Sequence, residues 1–219
     1  MLISDCMTRH PVLAPVTMTA SEAQKLMSEN NIRHLPVVES GKRLAGLLTK
    51  SSFAMKADAL SSLNVWEISR YLSDLKVTQV MLKAKNVITI DATRTVERAA
   101  AIMVEDKIGC LPVVDGDASV IGIVTESDLL RAFQEMLGLT AKGVRVTVRM
   151  PNVKGEFVKL MGVLAEHQWG VMGVGSFPVR KHPTLYHAVV KIVDVSEDEV
   201  RTALAQIPDH EIVDIRSVV

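Results

Sequence analysis

The chain is poor in aromatics. Phe, Trp and Tyr make up 4% of its 219 residues, so a core has to be built from Val, Leu, Ile, Ala and the 11 Met. It also lacks a charge excess: 25 Lys and Arg stand against 25 Asp and Glu. The balance is local too, with nine basic and nine acidic residues in 144–219. Neither part has the positive surplus that neutralises a nucleic-acid backbone, so no nucleic-acid partner is expected. Cysteine is scarce. Cys6 and Cys110 are far apart, form no CxxC and sit among apolar neighbours, which suits small buried residues and not a disulfide framework. No apolar run approaches the roughly 20 residues that span a bilayer. The opening MLISDCM has neither a basic n-region nor an apolar h-region. These absences lead to the expectation of a soluble, cytoplasmic chain with no membrane partner.

Catalytic patterns are missing as well. The histidines at 10, 34, 167, 182, 187 and 210 include no HExxH, and none is spaced with a cysteine as metal ligands are. There is no G-x-S-x-G and no GKS or GKT phosphate loop. The sequence gives an enzyme no support, and it implies no metal and no obligatory cofactor.

What is present is a repeat. Composition is 48% apolar, enough for two cores in a chain of this length. GLLTKSS (Gly46–Ser52) returns as GIVTESD (Gly122–Asp128), and IRHLPVV (Ile32–Val38) returns as IGCLPVV (Ile108–Val114). Thr49 and Thr125 are 76 positions apart, whereas the upstream Met7 and Met81 are 74 apart. A slip in a loop with apolar positions retained indicates a duplicated structural unit. Each copy has a short apolar segment, a helix starting near Thr19 or Thr95, an LPVV strand, a turn, a second strand and a helix starting at the Thr. Thr19 and Glu22 have capping-box spacing, and Val96, Ala99, Ala100 and Met103 follow helical spacing. The order is β-α-β-β-α, twice. Neither half carries enough apolar surface to stand alone comfortably, so a pseudo-twofold pair packed sheet on sheet is expected.

The strand-to-helix corner at Gly122–Asp128 has its own chemistry. Free N–H groups at a helix start suit a phosphate. The Thr hydroxyl adds a contact, and an aspartate one turn in can accept two hydrogen bonds from a ribose diol. The same Thr-x-x-Asp spacing also serves as a helix cap with no ligand, contributing about 1 kcal/mol. The two roles do not exclude each other.

Over Met1–Leu137 the sequence resembles a tandem pair of cystathionine-β-synthase (CBS) domains, a Bateman module. The resemblance rests on the opening xxM, the xLPVV strand and G-h-h-T-x-x-D. It implies a cleft between the repeats that binds an adenosyl compound: AMP, ADP, ATP or S-adenosylmethionine. The nucleotide-binding residues it implies are Gly122, Thr125 and Asp128, with Thr49 at the first corner. Arg33 and His34, just before LPVV, are candidate phosphate contacts, though a solvated arginine and a helix-end histidine fit the sequence equally. A histidine there would make phosphate binding pH-sensitive near neutrality. Ser52 stands where the first copy should have its aspartate, so one principal site and one weak or altered site are expected.

Lys56–Val77 lengthens the link between repeats. Its apolar spacing, through Leu60, Leu63, Trp66, Ile68, Tyr71, Leu72 and Leu75, suggests a helix-turn-helix excursion. After a boundary at Ala141–Gly143, the segment 144–219 reads β-α-β-β-α-β, a ferredoxin-like layer. It resembles an ACT domain, which implies an amino-acid site at the turn Asn152–Gly155, formed by Asn152 and Gly155, or a role in dimerisation alone. The domain order expected is therefore repeat 1 (1–55), helical connector (56–76), repeat 2 (77–140) and an ACT domain (144–219), an α/β (α+β) chain. As a whole it resembles acetoin-utilisation-type CBS–ACT regulatory proteins. That resemblance implies a homodimer sensing an adenosine-containing small molecule, with a scaffold bearing vestigial pockets as the alternative.

Overall fold

The computed structural model describes residues 1–53, 75–139 and 141–218. The connector expected over 56–76 lies, up to residue 74, outside the described residues. The chain divides into two compact units, Met1–Leu129 and Leu130–Val219.

The first unit opens with a single-turn helix α1 (Ile3–Cys6) and a two-residue strand β1 (Thr8–Arg9). The body of repeat 1 follows: β2 (Ala14–Pro15), α2 (Ala20–Glu29), β3 (His34–Val38) and β4 (Leu44–Thr49). Helix α2 starts where its cap allows. The Thr19 side chain accepts from the Glu22 N–H at 3.2 Å, and the Glu22 carboxylate accepts from the Thr19 N–H at 2.8 Å. Ala20, Ala23 and Met27, on one face of α2, are buried. Ala23 and Met27 pack in one cluster with Leu35, Val37 and Leu48. Each fully buried leucine in such a cluster contributes about 1.5–3 kcal/mol. Strand β3 starts two residues ahead of its proline, because His34 and Leu35 already pair with Thr49 and Leu48.

Repeat 2 comprises α3 (Val77–Val80), β5 (Leu82–Lys83), α4 (Val96–Asp106), β6 (Cys110–Val114), β7 (Val120–Thr125) and α5 (Glu126–Met136), and where repeat 1 has β2 it has only a single parallel bridge from Ile90 to Val113. Thr95 caps α4 by accepting from the Arg98 N–H at 3.3 Å.

The repeats trade their leading segments. Strand β1 pairs with β7 of repeat 2, Thr8 opposite Ile123, and β5 pairs with β4 of repeat 1, Leu82 opposite Leu47. The leading helices follow: the Ile3 and Ser4 N–H groups donate to the Arg94 and Ala92 carbonyls, and the Val77 N–H donates to the Met18 carbonyl. Two sheets result, ordered β2-β3-β4-β5 and β1-β7-β6. Leu47, Cys110 and Ile123 share a buried cluster drawn from both repeats. Burial pushes the Cys110 thiol up to about 12, which leaves it a small apolar residue at neutral pH. Cys6 is only half-buried.

In the second unit, β8 (Gly143–Pro151), α6 (Glu156–Glu166), β9 (Gly170–Val179), β10 (His182–Val193), α7 (Glu197–Leu204) and β11 (Glu211–Val218) give the expected β-α-β-β-α-β order. The sheet is antiparallel, ordered β11-β8-β10-β9. Period-two alternation turns Val144, Val146, Val148 and Met150 of β8, with Ala188, Val190 and Ile192 of β10, to the face carrying Leu160, Leu164, Val200 and Leu204 of the helices. The unit boundary falls ahead of the Ala141–Gly143 turn. The reason is local: the backbone at Leu137–Gly138 lies against β9 so closely that a side chain at Gly173 would collide with it. Among the described residues no helix is long and apolar enough to cross a membrane.

Candidate functional site

Segment exchange within the first unit creates two clefts related by the repeat. The first, about 340 Å³, is lined by Arg33 and His34 from the start of β3, by Thr125, Ser127 and Asp128 from the second corner, and by the stretch after β1 that includes His10. The second, about 520 Å³, is lined by Gly109 and Cys110 from the start of β6, by Thr49 and Ser51 from the first corner, and by Asn86–Ile88 after β5. Each cleft therefore takes its helix-start corner from one repeat and its strand-start residues from the other. Asn31 and Lys107, which also correspond, both take the left-handed backbone conformation, φ 51° and 54°, where helix gives way to strand.

Four of the six residues singled out for a nucleotide, Arg33, His34, Thr125 and Asp128, line one cleft. Thr49 lines the other, together with His34. Gly122 lines neither. A Cβ there would stand 2.6 Å from the Met7 sulfur and 3.2 Å from the Thr8 carbonyl oxygen, so the missing side chain makes room for exchanged β1. Gly46 does the same for β5, with the Leu82 carbonyl oxygen and the Met81 sulfur both 2.5 Å from a Cβ position. His10 and Ser127 were not singled out. Ser127 sits inside the GIVTESD phrase, while His10 belongs to a leader whose partner repeat the sequence does not reveal.

Both corners are closed by side chains. One Asp128 carboxylate oxygen accepts from the Thr125 N–H at 2.9 Å and from the Thr125 hydroxyl at 2.7 Å. At the first corner the Ser52 hydroxyl accepts from the Thr49 N–H at 3.0 Å. The caps are equivalent in place but not in charge. Only the second presents a carboxylate beside the arginine and histidine of the opposite repeat.

His34 lines both clefts, and burial holds its imidazole below the ordinary 6.5, with Arg33 pushing the same way and Glu126 against it. Gly109 lies between these two side chains: a Cβ at 109 would lie 3.3 Å from the Glu126 carboxylate and 3.4 Å from the His34 ring. His34 is thus neutral at pH 7, and the pH sensitivity expected near neutrality moves to the acid side. The unfolded chain takes up this proton before the folded one does, so the stabilisation is complete above the ordinary histidine range and declines as pH falls below it. The urea midpoint of the first unit should therefore fall between pH 7 and 5.5, and His34→Gln should flatten that fall. Parallel profiles for the two proteins would show that another group is responsible.

In the second unit, the Asn152 side-chain amide donates to the Pro183 carbonyl at 3.3 Å, and its backbone N–H donates to the Thr184 carbonyl at 2.7 Å. Gly155, at φ 94°, is the N-cap of α6 with open space around it. Its glycine is required first by the left-handed turn. Among the described residues no three His, Cys, Asp or Glu side chains cluster as metal ligands.

Comparison with known proteins bears on the first unit. The CBS domain family matches residues 3–56 and 77–135, more than half of the chain. A crystal structure described as that of an acetoin utilization protein from Vibrio cholerae is 31% identical, with a TM-score of 0.51, over 61% of this chain and 90% of that one. Protein MJ1225 of Methanocaldococcus jannaschii, described as an archaeal homologue of γ-AMPK, is 31% identical with a TM-score of 0.51, over 60% of this chain and 47% of that one. The L-aspartate semialdehyde sulfurtransferase of the same organism is 31% identical over 132 residues, 60% of this chain. The match spans 23% of that enzyme, so this chain corresponds to about a quarter of its length. With one match on each repeat, the chain belongs to the CBS domain family.

Proposed function

We propose that the first cleft is an adenosyl-ligand site of a regulatory sensor, for a compound of the AMP, ADP, ATP or S-adenosylmethionine class. The carrying observation is the meeting of Asp128 and Thr125 from one repeat with Arg33 and His34 from the other. A carboxylate suits a ribose diol, and an arginine beside a helix start suits phosphate. The second cleft keeps Thr49 and has Gly109 in the arginine's place, while Ser52, which stands in sequence where the aspartate would, is not part of its lining, so it is the weaker site. Because ligand here bridges the repeats, occupancy changes the balance of any assembly that depends on their arrangement, coupling that typically amounts to about 1–3 kcal/mol. We further read the C-terminal unit as an ACT domain that supports a homodimer, with Asn152 and Gly155 at its amino-acid turn. The rival reading is a scaffold, and it draws on the fact that the Thr125–Asp128 cap is complete with protein atoms alone.

A thermal-shift panel of AMP, ADP, ATP, S-adenosylmethionine and NAD decides between them. A ligand at a hundred times its dissociation constant should add about 2.7 kcal/mol of stability. Arg33→Ala should reduce the effect of the phosphorylated ligands and spare S-adenosylmethionine. No stabilisation by any of the five would leave the scaffold reading, and turnover of a ligand would replace both with an enzyme.

A further inference from the structure

On the face of the C-terminal sheet turned away from α6 and α7, Arg216, Arg145 and Lys191 stand in one row across β11, β8 and β10. Lys191 of β10 is opposite Arg145 of β8 in the antiparallel register, and alternation turns both away from the helix-covered core. Like charges directly opposite each other destabilise a sheet. Arg145 has a counter-ion: it pairs with Asp214 at 3.2 Å, and that carboxylate also binds Arg216. Lys191 has none among the described residues. Its ammonium makes one long hydrogen bond there, 3.4 Å to the Leu139 carbonyl. A lysine in a sheet usually runs its methylenes over apolar surface and releases its head to water. Lys191 does not, because the residue is only 3% exposed. A buried ammonium without a counter-ion is costly, and an anion would remove the cost.

Beside it is a cavity of about 400 Å³ whose walls include Leu137, Leu139, Phe177 and Val189, with Arg145 and Lys191 as its charged lining. That size lies within the range of small-molecule sites. Gly173, opposite Lys191 in β9, and Gly175 keep one wall low. We propose that this cavity binds a small monocarboxylate with an apolar body, its carboxylate on the Lys191 ammonium and its chain along Leu137, Leu139 and Phe177. An α-amino acid is disfavoured, because its ammonium would face two cations, and the nearby Asp214 carboxylate is already shared by two arginines. The pocket is on the sheet, apart from the Asn152–Gly155 turn, and owes nothing to the adenosyl reading.

Isothermal titration of the full chain with octanoate, octan-1-ol and leucine tests this. Octanoate should bind, leucine should not, and Lys191→Met should weaken octanoate at least tenfold while leaving octanol unchanged or tighter. Should Lys191→Met fail to fold, Leu137→Trp, which enters the cavity from a residue 51% exposed, should abolish octanoate binding on its own. Asp128→Ala should leave octanoate untouched, which separates this site from the first-unit cleft. Equal binding of octanoate and octanol, no octanoate binding at millimolar concentration, or sedimentation showing this face sealed by a second copy would overturn the proposal.

Discussion

Asp128→Ala should weaken the binding of every adenosyl ligand by about ten- to a hundredfold, the equivalent of losing hydrogen bonds to a charged group worth about 1.5–3 kcal/mol. Among the described residues lining the first cleft, this carboxylate is the group suited to both hydroxyls of a ribose, and Ser52 shows what the corner becomes without it. The variant will also lose a cap, since Asp128 accepts from both the N–H and the hydroxyl of Thr125. That loss should lower stability by about 1 kcal/mol and leave the protein folded. Titration calorimetry on folded protein therefore reads binding separately from the cap. The predicted pattern is a loss shared by AMP and S-adenosylmethionine alike, because the ribose is common to them. Undiminished affinity would mean that Asp128 acts only as a cap and that the ribose is held elsewhere.

Gly46→Ala should be among the most damaging single-methyl additions to the first unit, costing about 2–3 kcal/mol as overpacking does. Gly46 is not among the residues with positive φ, so the backbone itself would accept alanine. By that criterion alone the change should stabilise by about 0.4–1 kcal/mol through the unfolded state. The overlap decides the sign, because a Cβ would meet the Leu82 carbonyl oxygen at 2.5 Å, and that oxygen belongs to the paired strand β5. Gly122→Ala is the internal control. There the nearest atom is the Met7 sulfur, on a side chain that can turn away, and the Thr8 carbonyl oxygen is 3.2 Å off. Its cost should be nearer 1 kcal/mol. Urea denaturation at unchanged m-value should place the Gly46→Ala midpoint below that of Gly122→Ala, and the reverse order would contradict the strand-exchange explanation of both glycines.

These residues show what could be seen in advance. The central α-β-β body of each repeat was legible because it depends on local signals: helical spacing in α4, the Thr19–Glu22 cap and apolar LPVV strands. So was the company of Thr125 and Asp128, three residues apart on one turn. The exchange was not legible, since two-residue strands such as β1 and β5 carry no periodicity. Its one trace was the slip between the methionine leaders, 74 residues apart, and the repeat bodies, 76 apart. For Gly122 the motif points to a ligand, and what its sequence does not show is that Met7 and Thr8 press against it. The position of His34 was apparent, but not the burial that keeps it neutral. For Lys191, alternation tells that it faces away from the apolar core, but not that the chain beyond α5 covers it.

The exchange of leading strands also sets the order in which the protein can be completed during synthesis. Thr8–Arg9 emerges well ahead of its partner Val120–Thr125, which comes only when most of the first unit has been made. Strand β4, in turn, has an open edge until Leu82–Lys83 follows the connector. Neither sheet can finish without the other's sequence, and long-range closure of this kind is slow relative to local folding. The nascent first repeat is thus an intermediate with an unpaired edge, and its protection during translation falls to whatever covers β4 until β5 arrives.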